Sequence, residues 1–140
     1  MEALKKKQKV IIAVGKRKTS IAKAYLKPGK GIVRINSVNL ECLTPELAKL
    51  KIMEPIILAG EKLMSKVNIY VKVKGGGWQS QAEAARMAIA RALLKYSKSD
   101  KLKEKFLNYD RHLLVADIRR TEPQKPYYSA ARRMRQTSKR

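Results

Sequence analysis

The side chains of this chain best suited to act on a partner are cations, and they come in clusters: Lys16-Arg17-Lys18, Arg119-Arg120, and a terminal run of Arg132, Arg133, Arg135, Lys139 and Arg140. Clustered ammonium and guanidinium groups suit phosphate, because each contact releases counterions from a polyanion and makes part of the affinity salt-sensitive. Four of the five cations in the terminal run are arginine, whose planar fork fits phosphate oxygens and base edges better than the point charge of lysine. A short basic run is more often a solvated hairpin tip. Here the sign recurs at three separated places, which favours phosphate contact. Gly75-Gly76-Gly77 adds a second kind of element, a bare backbone that accepts positive φ and lets a phosphate or another backbone come close. It matches no nucleotide fingerprint. A dinucleotide motif needs glycine where Ser80 stands, and a P-loop needs Ser or Thr after Gly15-Lys16, where Arg17 follows. Nor does Ser80 lie in a G-x-S-x-G elbow, so a structural turn is the commoner use of the triplet.

Nothing else assembles into a catalytic set. Asp110 and Asp117 each adjoin an arginine or lie near one, Arg111 and Arg119, with no nucleophile or metal ligand close in sequence, and local ion pairs are expected. One cysteine, Cys42, and one histidine, His112, leave no disulfide and no His/Cys metal cluster. Neither has a visible activating environment. Trp78 suits core packing at least as well as base stacking, whereas Tyr127-Tyr128, in polar surroundings, suits stacking on bases or packing on a partner.

The overall balance points the same way. Among 140 residues, 33 are Lys or Arg against 11 Asp or Glu, a formal net charge of +22. That self-repulsion favours a polyanionic partner. The excess is +9 over residues 1 to 30, +4 over 31 to 94 and +9 over 95 to 140, so the ends are basic and the middle is nearly ordinary. The length fits one domain with a modest core. No apolar run is long enough to span a bilayer and the first residues lack a secretory signal, so a soluble cytoplasmic protein without a membrane partner is expected.

The elements that must position these groups follow from pattern. Lys9 to Val14 and Ile21 to Lys27 read as strands joined by the basic connection Gly15 to Ser20, and Pro28-Gly29 suits a type II turn into a third strand, Gly31 to Asn36, giving a meander. Thr44-Pro45-Glu46 reads as a helix start that ends near Met53-Glu54, with a second helix opening at Pro55. Lys66 to Lys74 alternates, with Val67, Ile69, Val71 and Val73 on one face and Asn68, Tyr70, Lys72 and Lys74 on the other. After the glycines, Ser80 with Glu83 makes a capping-box pattern. Ala82, Ala85, Ile89, Ala92, Leu93 and Tyr96 then form a small-residue stripe that lets a helix lie close on a sheet. Ser99-Asp100 starts a further helix to about Asn108, and Leu113 to Ile118 reads as a last strand. The expected division is a globular α+β domain over 1–122 and an extended basic tail over 123–140, ordered only when bound. Fully stretched, the tail would span roughly 60 Å.

These segments resemble the universal small-subunit ribosomal protein nine family over almost the whole chain. The resemblance is carried by Gly15-Lys16-Arg17-Lys18-Thr19-Ser20-Ile21-Ala22, Pro28-Gly29-Lys30-Gly31, Gly75-Gly76-Gly77, Gln81-Ala82-Glu83-Ala84-Ala85-Arg86, Ile89-Ala90-Arg91-Ala92-Leu93, Tyr109-Asp110-Arg111, Ala116-Asp117-Ile118-Arg119-Arg120 and Ser138-Lys139-Arg140. Met53-Glu54-Pro55, the triple glycine and Tyr109-Asp110-Arg111 are similar to its archaeal and eukaryotic branch. The resemblance implies a mixed sheet backed by helices, of the ribosomal-protein-five second-domain type with a left-handed crossover. It implies a non-enzymatic component of the small-subunit head with no cofactor, whose globular part binds small-subunit rRNA beside neighbouring ribosomal proteins. The implied rRNA contacts are Lys16, Arg17, Lys18, Gly75, Gly76, Gly77, Arg119, Arg120, Arg132, Arg133 and Arg135. Ser138, Lys139 and Arg140 are implied to touch peptidyl-site tRNA. The chain departs from the family pattern at Lys139, where this branch usually has tyrosine, at Ile118, where proline is usual, and at Ser37, where glycine is common. A general basic chromatin protein and a small-molecule kinase sharing the fold are the rival readings.

Overall fold

A computed structural model describes residues 10–138. Five strands, β1 (Ile11–Arg17), β2 (Ser20–Pro28), β3 (Val33–Ile35), β4 (Val38–Asn39) and β5 (Val67–Lys74), form one mixed sheet in the order β1-β2-β5-β3-β4. Neighbours are antiparallel except β3 and β5, which are parallel. Among the described residues, four α-helices complete it: α1 (Glu46–Ala59), α2 (Glu61–Met64), α3 (Trp78–Ser97) and α4 (Asp100–Tyr109). The strands are not the expected meander. β5 inserts between β2 and β3, because its fully buried Val67 and Ile69 and nearly buried Val71 demand neighbours on both edges, which an end position would not give.

Period-two alternation places Ala13, Ala22, Ala24, Leu26, Val71 and Val73 on the inner face. The α3 stripe packs onto it: Ala82, Ala85, Ala88, Ile89, Ala92 and Leu93 are all buried. Small side chains allow very close approach at one point. A Cβ added to Gly15 would lie 2.1 Å from the Ala84 carbonyl oxygen and 2.7 Å from the Ala88 nitrogen, so glycine in β1 is what lets α3 rest directly on the strand. β1 is an edge strand, and α3 guards it with polar groups: Arg91 donates to the Val14 carbonyl at 2.7 Å and Lys95 to the Ile12 carbonyl at 3.1 Å. These bonds occupy carbonyls that would otherwise invite another strand.

Several local expectations are corrected. The basic connection is shorter than expected, since β1 continues through Lys16 and Arg17 and only Lys18 and Thr19 form the turn. Ser80 is no cap. Helix α3 begins at Trp78 with Gly77 in the cap position and no side-chain capping bond, while Glu83 is drawn to Arg17 and Lys51 instead. Pro45 takes the cap position of α1, and Pro55 neither ends nor opens a helix. Its missing N–H forfeits a helical bond, but Ala48, Ile52 and Pro55 are buried on one side of α1, and that packing keeps the helix continuous. Leu113 to Ile118 is not a strand. A short 3₁₀ turn covers Arg111–Leu113, and the two carbonyls on β1 that a sixth strand would need are already taken by Arg91 and Lys95. Lys9 lies outside the described residues.

Candidate nucleic-acid interface

The β1–β2 hairpin brings Lys16 and Lys18 to the surface, with Lys18 at the turn holding a φ of 51°. Arg17 points inward. Its Nε lies 2.6 Å from Glu83 Oε2, and its guanidinium also pairs with Asp117. Glu83 takes a second cation, Lys51, at 3.1 Å. This cluster ties β1, α1, α3 and the segment leading to the tail into one joint.

Asp117 is the joint's outer half. It accepts from the Arg119 backbone N–H at 2.9 Å and from the Arg119 side chain at 2.6 Å. The side-chain bond from Arg119 holds its carboxyl well below the usual carboxylate range, helped by the Arg119 backbone N–H and by Arg17 against the opposing effect of burial. The Arg119 pKa rises in turn, through the hydrogen bond to Asp117. One residue on, Arg120 donates to the Lys18 carbonyl at 2.8 Å. Lys18, Arg119 and Arg120, a hundred positions apart in sequence, therefore share one corner of the molecule.

The glycine turn closes on the same corner. Gly75 and Gly76 have φ of 79° and 66°, and added Cβ atoms would fall 2.6 Å from the Thr19 carbonyl oxygen and 2.1 Å from Ser20 Oγ. Ser20, fully buried, donates to the Gly75 carbonyl at 2.7 Å, and Gln81 donates to the same oxygen at 3.1 Å. The first two glycines thus serve a tight seam between two turns. Gly77 has open space around it. All three stay exposed.

A second ion cluster sits beside the first. Arg86 lies 2.8 Å from Asp110 and 2.5 Å from Glu54, the latter a charge contact whose angle does not make an aligned hydrogen bond. Burial pushes the Asp110 carboxyl up, but the His112 backbone N–H and Arg86 outweigh it and its pKa is lowered. Local pairing of the two aspartates is half right: Asp117 holds neighbouring Arg119, whereas Asp110 pairs across the fold with Arg86 rather than with Arg111. Among the described residues no group of His, Cys, Asp and Glu could hold a metal ion, and no helix is long and apolar enough to cross a membrane.

From Thr121 to Ser138 the chain is exposed almost throughout. Its contacts are local: Arg132 pairs with Glu122 at 2.5 Å, Arg133 donates to Ser129 Oγ at 3.1 Å, and Arg135 stands 5.7 Å from the ring centre of Tyr127. The bond from Arg132 lowers the Glu122 pKa, and Glu122 raises that of Arg132. Ser138 is exposed, and Lys139 and Arg140 lie outside the described residues. Sequence reasoning missed the roles of Glu83, Arg91 and Lys95. It also left the outward row of β5 unassigned, although the alternation that marks its inward row marks the outward one equally.

Comparison with known proteins gives a family profile described as ribosomal protein S9/S16 that matches residues 15–140. The chain is 53% identical over 133 residues to the small ribosomal subunit protein uS9 of Desulfurococcus amylolyticus, a match covering 94% of each chain. It is 52% identical over 122 residues to the proteins of that name from two strains of Methanococcus maripaludis, covering 87% of this chain and 90% of each relative.

Proposed function

This chain belongs to the ribosomal protein S9/S16 family, and from that premise we propose that its folded part anchors to small-subunit rRNA while its tail reaches peptidyl-site tRNA. Membership makes it a structural, non-enzymatic constituent of the small ribosomal subunit, acting in translation. What supports the rRNA reading most is the bond from Arg120 to the Lys18 carbonyl, which gathers Lys18, Arg119 and Arg120 at one corner next to the exposed glycine turn. Lys16 flanks that corner from β1. Phosphate oxygens would take the free N–H groups of these side chains and approach the bare backbone of Gly75, Gly76 and Gly77. Arg17, already shared by Glu83 and Asp117, acts mainly by holding the corner together.

The tail reading rests on exposure and charge. Residues 123–140 form the extended basic tail and 1–122 the globular domain, with Arg132, Arg133 and Arg135 meeting rRNA along the way and Ser138, Lys139 and Arg140 meeting tRNA. The finer fold belongs to the same reading. β3 and β5 are parallel neighbours joined through β4, α1 and α2, the connection that is left-handed in the ribosomal-protein-five second-domain type. Placement in the subunit head, beside neighbouring ribosomal proteins of the cytoplasmic ribosome, completes the proposal. The test is sedimentation of tagged chain from cells: it should stay with the small subunit through a high-salt wash. If it washes off and follows bulk DNA, the basic clusters serve general nucleic-acid binding and the reading fails.

A further inference from the structure

The face of the sheet turned away from α3 carries a charge pattern that the fold alone does not explain. Tyr25 of β2 and Tyr70 of β5 are register partners, and Arg34 of β3 is the partner of Tyr70 on its other side. One step along the sheet, two residues before Tyr25 in β2 and two after Tyr70 in β5, Lys23 and Lys72 are partners. Like charges directly opposite in an antiparallel pair destabilise it. Yet the five described strands contain no aspartate or glutamate, and the ion pairs of the described residues lie elsewhere. Two open grooves run beside Lys72 and Lys74, of about 520 Å³ next to Arg34 and Tyr70 and about 470 Å³ next to Lys23 and Tyr25. An uncompensated cationic row around a pair of aromatic rings, on an open and grooved surface, is complementary to a polyanion that also offers ring faces.

We propose that this face is a second RNA surface, which holds an unpaired stretch of small-subunit rRNA with bases stacked on Tyr70 and Tyr25 and phosphates along Lys23, Lys72, Lys74 and Arg34. The inference rests on the ribosomal reading above and extends it to residues that reading leaves unused. Unpaired RNA fits better than a duplex: splayed bases present π-faces to tyrosines, whereas a duplex keeps its bases stacked inside and would engage the lysines alone. An acidic protein surface would satisfy the lysines but give the two rings no comparable partner.

The experiment has two arms. In the first, purified full-length chain is titrated with a single-stranded RNA oligomer and with the corresponding duplex. Tyr70→Ala should weaken single-strand binding about tenfold, within the range of base–aromatic stacking. Tyr70→Phe, which keeps the ring, should bind like the parent, and a circular dichroism spectrum of Tyr70→Ala that matches the parent separates a lost stack from misfolding. The double variant Lys23→Gln, Lys72→Gln should reduce the steepness of the logarithmic salt dependence by about 1.4, at roughly 0.7 per phosphate on a single strand. In the second arm, small subunits carrying the chain are irradiated with ultraviolet light and the peptides holding Tyr25 and Tyr70 are searched for nucleotide adducts, which the proposal requires. If the chain stays with the subunit but these peptides carry no adduct, or Lys23 and Lys72 crosslink to a neighbouring protein instead, the proposal is overturned while the ribosomal reading stands. If the chain does not sediment with the subunit, the ribosomal reading fails, and equal oligomer binding by Tyr70→Ala would overturn the stacking role as well.

Discussion

Replacing Gly15 with alanine should be among the most damaging single-atom additions the fold admits. The new Cβ would lie 2.1 Å from the Ala84 carbonyl oxygen and 2.7 Å from the Ala88 nitrogen. Both are backbone atoms of a 20-residue helix, so no side chain can swing aside. Bringing the nearer contact out to an ordinary 3.4 Å means moving α3 off β1 by about 1.3 Å. That shift would open the Ala85, Ala88 and Ala92 packing and stretch the bonds from Arg91 and Lys95 to β1. Overpacking of this kind costs about 3 kcal/mol, offset by up to about 1 kcal/mol because alanine narrows the unfolded ensemble. At about 3 °C per kcal/mol for a chain of this length, thermal unfolding followed by circular dichroism should show Tm falling by about 6 to 9 °C. Gly77→Ala serves as the internal control, since nothing lies within 4 Å of its added Cβ and the change is confined to the helix cap. A Gly15→Ala protein that melts within 2 °C of the parent would refute the close seating of α3 on β1.

Ser20→Ala removes the buried donor to the Gly75 carbonyl, and with Gln81 still bonded there the loss should be about 1 kcal/mol in urea unfolding. The carboxylates of Asp110, Asp117 and Glu122 all have lowered pKa values. Their contribution is therefore present above the unfolded-state values near 4 and is lost as pH falls below them. Denaturant midpoints should be flat from neutrality to about pH 5 and drop below pH 4, with a shallower drop in Asp117→Asn. Arg120→Gln should weaken RNA binding by the chain about equally across sequences. It should also reduce the logarithmic salt slope by roughly 0.7 to 0.9, the signature of one lost phosphate contact; an unchanged slope would remove Arg120 from the interface.

Local pattern carried much of this architecture. The alternation of Lys66 to Lys74 marks β5 and its buried face, and the spacing of Ala82, Ala85, Ile89, Ala92 and Leu93 marks the buried stripe of α3, because side-chain direction repeats with the backbone. Strand order was out of reach: that β5 lies between β2 and β3 depends on burial on both edges, which no local spacing encodes. Ser80 and Glu83 illustrate the conflict between scales. Their capping-box pattern is genuine, but Glu83 gains more from two half-buried cations, Arg17 and Lys51, than from a solvent-exposed backbone N–H. Pro55 makes the same point, since packing on α3 overrides a local helix-breaking signal. The corner formed by Lys18, Arg119 and Arg120 could be named residue by residue from the resemblance. That these groups meet depends on a bond spanning 102 positions, which only the folded chain displays.

Anchoring by the folded part and tRNA contact by the end of the tail make one proposal. Its most direct test is the affinity of peptidyl-site tRNA for small subunits carrying either the full chain or a version ending at Ser138, recovered after a high-salt wash. Both versions should remain with the subunit, and loss of Lys139 and Arg140 should lower tRNA affinity about tenfold or more, the scale of one charge-assisted hydrogen bond. Equal tRNA affinity on the two particles would contradict it.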